Sequence, residues 1–149
     1  MTERAIGYRA LLLGVLVGAC SGSPVPDESS ITGLHFTTSS MFADNPQPTN
    51  VDVTLTDPTP VRAIYKATVD LPDFPEGTFH CPNDPGYRHT IVFSQGEHAA
   101  VTATLNTGGC HDATISDAPP VRQTNAAYWT LLARDLGVEK ATLFETAPQ

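Results

Sequence analysis

Lysine is almost missing from this chain. Lys66 and Lys140 are the only two among 149 residues, and 16 acids face 8 lysines and arginines, for a formal net charge of −8. A surface of that sign repels phosphate backbones and anionic headgroups. Nucleic acid is therefore excluded as a partner, and so is a helix lying flat on an anionic membrane. Long apolar runs are missing as well. The leading apolar stretch, Ala10 to Ala19, has about half of the ~20 residues that a membrane-spanning helix needs. Catalytic signatures are also wanting: Ser94 lies near His89 and His98 in the chain but outside any nucleophile-elbow context. There is no internal repeat, no motif that calls for a cofactor, and nothing that positively identifies an enzyme.

What the sequence does carry begins at its start. Arg4 and Arg9 precede the uncharged run of Leu11, Leu12, Leu13, Val15, Leu16 and Val17, the layout of a secretory signal. Gly7, Gly14 and Gly18 would make the same segment a poor core helix. The run closes in Val17-Gly18-Ala19-Cys20, which resembles the lipobox of bacterial lipoprotein signals: an aliphatic residue, two small residues, then the cysteine that takes a diacylglyceryl thioether. The family pattern prefers Leu at the first position and Ala or Ser at the second, so Val17 and Gly18 depart from its favoured form. The resemblance implies a signal peptide over 1–19, lipidation (with palmitate among its chains) at Cys20, and anchoring on the outer face of the cell membrane. Ser21 to Ser30 is small, polar and proline-bearing, and reads as a flexible tether completing a 20–30 segment. Without the signal the chain loses two cations and one acid, and stays strongly acidic.

Three cysteines are an awkward count for an exported protein. If Cys20 takes lipid, Cys81 and Cys110 remain as a pair, and outside the cytoplasm such a pair usually ends as a disulfide. His80-Cys81 and Cys110-His111 also suggest a Cys₂His₂ zinc set. Against zinc, neighbouring residues in extended chain point to opposite sides, and zinc pairs are normally spaced by two to four residues. His80 and His111 are thus the weak metal candidates, and the disulfide is preferred.

The remainder, 31–149, suits one globular domain. Strands are expected at Ile31–Phe36, Val51–Leu55, Thr90–Ser94, Ala99–Leu105 and Asp112–Ser116, with Val121–Gln123 as a further pairing segment. Thr37 to Asn50 reads as a loop, and Gln95-Gly96-Glu97 as a hairpin turn. From Val61 to Leu71 a helical stripe (Val61, Ile64, Tyr65, Thr68) competes with a strand alternation (Val61, Ala63, Tyr65, Ala67, Val69, Leu71). Asp57-Pro58, an N-cap with proline in the first turn, and Pro72 as a stop favour helix. Thr124 or Asn125 caps a second helix that ends at Gly137, with Tyr128, Leu131, Leu132 and Leu136 as its buried stripe. Trp129 and Tyr65 are expected in the core, the histidines on the surface, and the tail from Thr142 frayed. The fold class is therefore α+β: an antiparallel sheet of four to five strands, two helices on one face, one disulfide.

Val53 to Pro58, the segment closing in Leu71-Pro72, His80 to Gly86, Gly109-Cys110 and the helix Tyr128 to Gly137 together resemble small uncharacterised lipoproteins and secreted proteins of actinobacteria. The likeness spans about two-thirds of the chain. It implies a helix over 58–70 and pairing of Cys81 with Cys110, and it carries over no catalytic residue. The expected function is a lipid-anchored, non-enzymatic envelope domain that binds an envelope protein or a cell-wall partner. The alternative is an enzyme inhibitor or small-ligand module that uses the disulfide-held loop 79–88.

Overall fold

A computed structural model describes residues 25–40, 50–81, 86–116 and 118–144. The segment expected as an export signal and Cys20 lie outside the described residues. The element order is β1 (Gly33–Ser40), β2 (Asp52–Leu55), α1 (Pro58–Val69), β3 (Tyr87–Gln95), β4 (His98–Asn106), β5 (Asp112–Ile115), β6 (Ala118–Gln123) and α2 (Ala126–Leu136). Short 3₁₀ turns precede β1 (Glu28–Ser30) and follow α2 (Lys140–Leu143). The strands make one antiparallel sheet in the order β2-β1-β3-β4-β5-β6.

The class is the expected α+β, but the described residues hold six strands rather than four or five. The count rises at the edges. β2 is only four residues long and still pairs with β1, Leu34 opposite Leu55 and Phe36 opposite Val53. β6 carries Pro119 and Pro120, which cannot donate to a ladder and so are tolerated only at a sheet edge. β1 also runs to Ser40, four residues beyond the expected end at Phe36, because Thr37 to Ser40 continue the register against Thr90 to Tyr87.

Alternation decides which face is buried. Leu34, Phe36 and Thr38 of β1, Tyr87, His89, Ile91 and Phe93 of β3, and Val101, Ala103 and Leu105 of β4 all point to the helix side and are buried. Both helices cover that face. Tyr65 of α1 meets Phe93 edge-on at 5.1 Å, and Trp129 of α2 meets His89 at 5.7 Å.

The competition at 61–71 resolves as helix. Asp57 accepts the Thr59 N–H at 2.9 Å and Pro58 stands in the first turn. The buried positions are Val61, Ile64, Tyr65 and Thr68, which is the helical stripe. α2 is capped by Asn125, which accepts the Tyr128 N–H at 2.9 Å. It stops at Gly137, whose φ of 70° is left-handed and suits glycine best. A buried hydroxyl pair ties the helices together. Thr68 donates to the Ile64 carbonyl at 2.8 Å, so the Tyr128 hydroxyl is the donor in its 3.0 Å contact with Thr68.

Cys81 and Cys110 are bridged, with Cα atoms 4.9 Å apart. The bridge fastens the loop after α1 to the turn after β4. The same loop lies along the β6 edge, where Phe74 N–H donates to the Val121 carbonyl at 2.8 Å and Gln123 N–H to Pro72 at 2.9 Å. Within the segment expected as a tether, the 3₁₀ turn 28–30 is capped by Asp27, and the Tyr65 hydroxyl donates to the Pro26 carbonyl at 2.6 Å. Thr142 was expected in a frayed tail; instead the turn Lys140–Leu143 docks, with Leu143 1% exposed. Among the described residues no helix is long and apolar enough to cross a membrane.

Candidate functional site

The histidines separate into unlike environments. His35 is exposed and lies 2.8 Å from Asp52 on the neighbouring strand, a pairing that contributes little in water. His89 pairs with Leu105 and His98 with Gln95, so the β3–β4 hairpin keeps the two histidines at opposite ends. His80 and His111 are both exposed and flank the bridged cysteines. The two sulfurs are bonded to each other, which takes them away from any zinc set. Among the described residues no three His, Cys, Asp or Glu converge on a common point.

His89 corrects the expectation of a surface residue: it is 1% exposed. Its Nδ1 lies 2.9 Å from the Thr38 hydroxyl and its Nε2 3.0 Å from the Leu143 carbonyl. A carbonyl can only accept, so Nε2 carries the hydrogen and Nδ1 accepts from Thr38. The ring stacks on Phe36 at 5.3 Å and meets the edge of Trp129. Burial lowers its pKa from 6.5 to about 4, against the smaller upward pull of the Leu143 carbonyl. With both ring nitrogens occupied, His89 cannot serve Ser94 as a base. Its role is to pin the C-terminal 3₁₀ turn to the sheet.

Beside that pin lies a cavity of about 270 Å³. Its lining includes Trp129, Phe144, His111 and Lys140, Trp129 being only 2% exposed and so set behind the others. Trp129 and Phe144 meet edge-to-face at 5.1 Å, and His111 and Phe144 are 6.4 Å apart. Thr124 organises this lining: its hydroxyl donates to the His111 carbonyl at 2.8 Å and accepts the Trp129 indole N–H at 3.0 Å. The Thr124 N–H donates to the same carbonyl at 2.8 Å. These bonds hold His111 at φ 54°, the one non-glycine left-handed residue among those described. Such backbone strain persists only where the surroundings enforce it. Lys140 Nζ donates to the Thr130 hydroxyl at 3.0 Å and to the Ala126 carbonyl at 3.3 Å.

Two other hollows are less equipped. One of about 320 Å³, by Pro58 and Arg62, has no aromatic wall. One of about 240 Å³, between α1 and α2, has Tyr128 but no cation. The loop 79–88 is described in part, since 82–85 lie outside the described residues. Phe79 is 46% exposed and meets Phe74 edge-on at 5.5 Å, while Gly86 and Tyr87 are buried.

Sequence reasoning named His111 only as a weak metal candidate and Trp129 only as core. It named Thr124 only as a possible helix cap and Lys140 only as one of two lysines, and it gave Phe144 no role, because the cavity brings together segments that no local pattern relates. One signal was available: Lys140 is one of just two lysines and stands three residues beyond the helix-ending Gly137. Compared with protein-family models, curated proteins and solved structures, the chain matches none.

Proposed function

We propose that the chain is an exported cell-envelope domain, held on the outer face of the membrane by lipid on Cys20, that works by binding rather than by catalysis. The observation that carries this reading is the bridge between Cys81 and Cys110. Such bonds belong to oxidising compartments, and this one leaves Cys20 as the odd thiol in a chain of three cysteines. The run ending in Val17-Gly18-Ala19-Cys20 then supplies both an address and an anchor. An acyl chain gains about 0.8 kcal/mol per buried CH₂, and two chains meet the need for stable anchoring. The acidic surface agrees with attachment by lipid rather than by charge. The partner is an envelope protein or a cell-wall component, and the cavity beside Trp129 adds a place for a small ligand.

Metabolic labelling with palmitate tests the anchor. The wild-type chain takes label and Cys20→Ala does not; equal labelling of both would end the proposal. Crosslinking in intact cells tests the partner, and recovery of nothing above background counts against it. The exposure of Phe79 beside the bridge favours a second reading, inhibition of a secreted enzyme through this loop. Failure to inhibit a panel of secreted proteases removes its protease form.

A further inference from the structure

We propose, on the strength of the binding reading above, that the cavity between His111, Trp129, Phe144 and Lys140 holds a small aromatic carboxylate. The ring sits in the aromatic corner and the carboxylate at Lys140. Size sets the first limit. About 270 Å³ is just below the usual span of ~300–1,000 Å³ for ligand cavities. It admits a molecule of one ring, not a glycan chain or a folded peptide.

The walls set the second. Trp129 and Phe144 stand at 69° to each other with centroids 5.1 Å apart. A ring entering the cavity meets chiefly Phe144, with the buried Trp129 packed behind it, in the stacked or edge-on arrangements that aromatic pairs favour. The Trp129 indole N–H is already spent on Thr124 at 3.0 Å. Trp129 is also only 2% exposed, so it gives the cavity neither a donor nor much free surface, and the apolar contact falls mainly to the half-buried Phe144. Through the same Thr124 this lining is fixed before any ligand arrives, and preorganisation of this kind lowers the cost of binding.

Charge sets the third. Lys140 makes no ion pair among the described residues. Two of the ammonium's three donors are used, on Thr130 and Ala126, and the third is left for an acceptor at the rim. The acids next in sequence to the lining residues, Asp112 and Glu139, make no ion pair with Lys140, and the first turn of α2 contains no acid. Lys140 is thus an ammonium without an ion-pair partner among the described residues. A ligand with a negative end fits it, and a cationic one does not.

The experiment uses the sole tryptophan of the chain as reporter. Purified full-length protein is titrated at pH 7 with phenylacetate and with the uncharged phenylacetamide, following Trp129 emission. Phenylacetate should give a saturable change, with phenylacetamide weaker by about tenfold, as for the loss of one charge-assisted hydrogen bond. Lys140→Met, at an exposed position, should bring the phenylacetate affinity down to that of phenylacetamide and so erase that preference. Phe144→Ala should weaken both probes. Absence of a saturable response to either probe overturns the site, and a preference that survives Lys140→Met overturns the role of the lysine. If neither probe binds while crosslinking still recovers a partner, the ligand inference falls and the binding domain stands. If phenylacetate saturates while no partner is recovered, the site stands and the protein-partner form of the reading falls.

Discussion

Acidification should unlatch this domain through a single buried imidazole. His89 is neutral in the folded protein because burial beside Phe36 and Trp129 lowers its pKa to about 4, against the smaller upward pull of the Leu143 carbonyl, whereas an unperturbed histidine titrates at 6.5. None of its direct neighbours (Phe36, Thr38, Trp129, Leu143) titrates between those values. Above pH 6.5 both states hold the ring neutral, and His89 adds no pH dependence. As pH falls from 6.5 towards 4 the unfolded chain takes up a proton that the folded chain refuses, so stability is lost across that window. Below about pH 4 both states are protonated and the loss levels off. A displacement from 6.5 to about 4, at about 1.4 kcal/mol per pH unit, gives a total between about 3 and 4 kcal/mol, a large share of the ~5–15 kcal/mol that stabilises an ordinary domain. The assay is urea denaturation of wild type and of His89→Gln at several pH values from 7 to 4. Contributions common to both proteins cancel in the difference. Wild type should lose about 3 kcal/mol more than His89→Gln between pH 7 and pH 4. Parallel pH profiles for the two proteins would refute the argument, because they would mean that the ring is hydrated in the folded state.

Other sites test other parts of the structure. Thr68→Val removes the acceptor for the buried Tyr128 hydroxyl and should cost about 1–3 kcal/mol in urea denaturation, the penalty for stranding a buried polar group; a loss below ~0.5 kcal/mol would mean that the hydroxyl has found another partner. Burial also raises the Tyr128 pKa, so its hydroxyl stays protonated through neutral pH. Replacing Cys81 and Cys110 together by Ser opens a loop with a sequence separation of 29 and should cost about 3–4 kcal/mol in the chain-entropy account. Without reductant, thiol titration of the denatured wild-type protein should find neither of these two sulfurs free. Asn125→Ala removes the cap on Tyr128 N–H and should lower stability by about 1 kcal/mol; an unchanged melting curve would show that water substitutes for the cap.

How far the fold was legible depends on the range of the forces involved. Asp57-Pro58 and Asn125 announce their helices because a cap is satisfied within three residues of itself. Strand alternation in Thr90–Ser94 and Ala99–Leu105 survives because each strand has one wet face and one dry face. The inward position of His89 was half legible: it shares the parity of Ile91 and Phe93, and extending the alternation back by one pair places it in the core. Without a partner in view, a scattered surface histidine is the simpler expectation. What reverses that expectation is a hydroxyl from β1 and a carbonyl from the C-terminal turn, donor and acceptor fifty or more positions away.

By itself, then, the sequence determined the α+β class, the capped ends of both helices, the pairing of Cys81 with Cys110 by count, and the sign of the surface. Each of these follows from short-range geometry or from composition, which need no knowledge of neighbours in space. Only the tertiary structure decided that the sheet has six strands in the order β2-β1-β3-β4-β5-β6 and that the segment after Gly137 docks instead of fraying. It alone brought His111, Thr124, Trp129, Lys140 and Phe144 around one cavity. A pocket is a relation among distant segments, fixed when burial of Leu143 and the two bonds of His89 fold the chain's end back over the sheet.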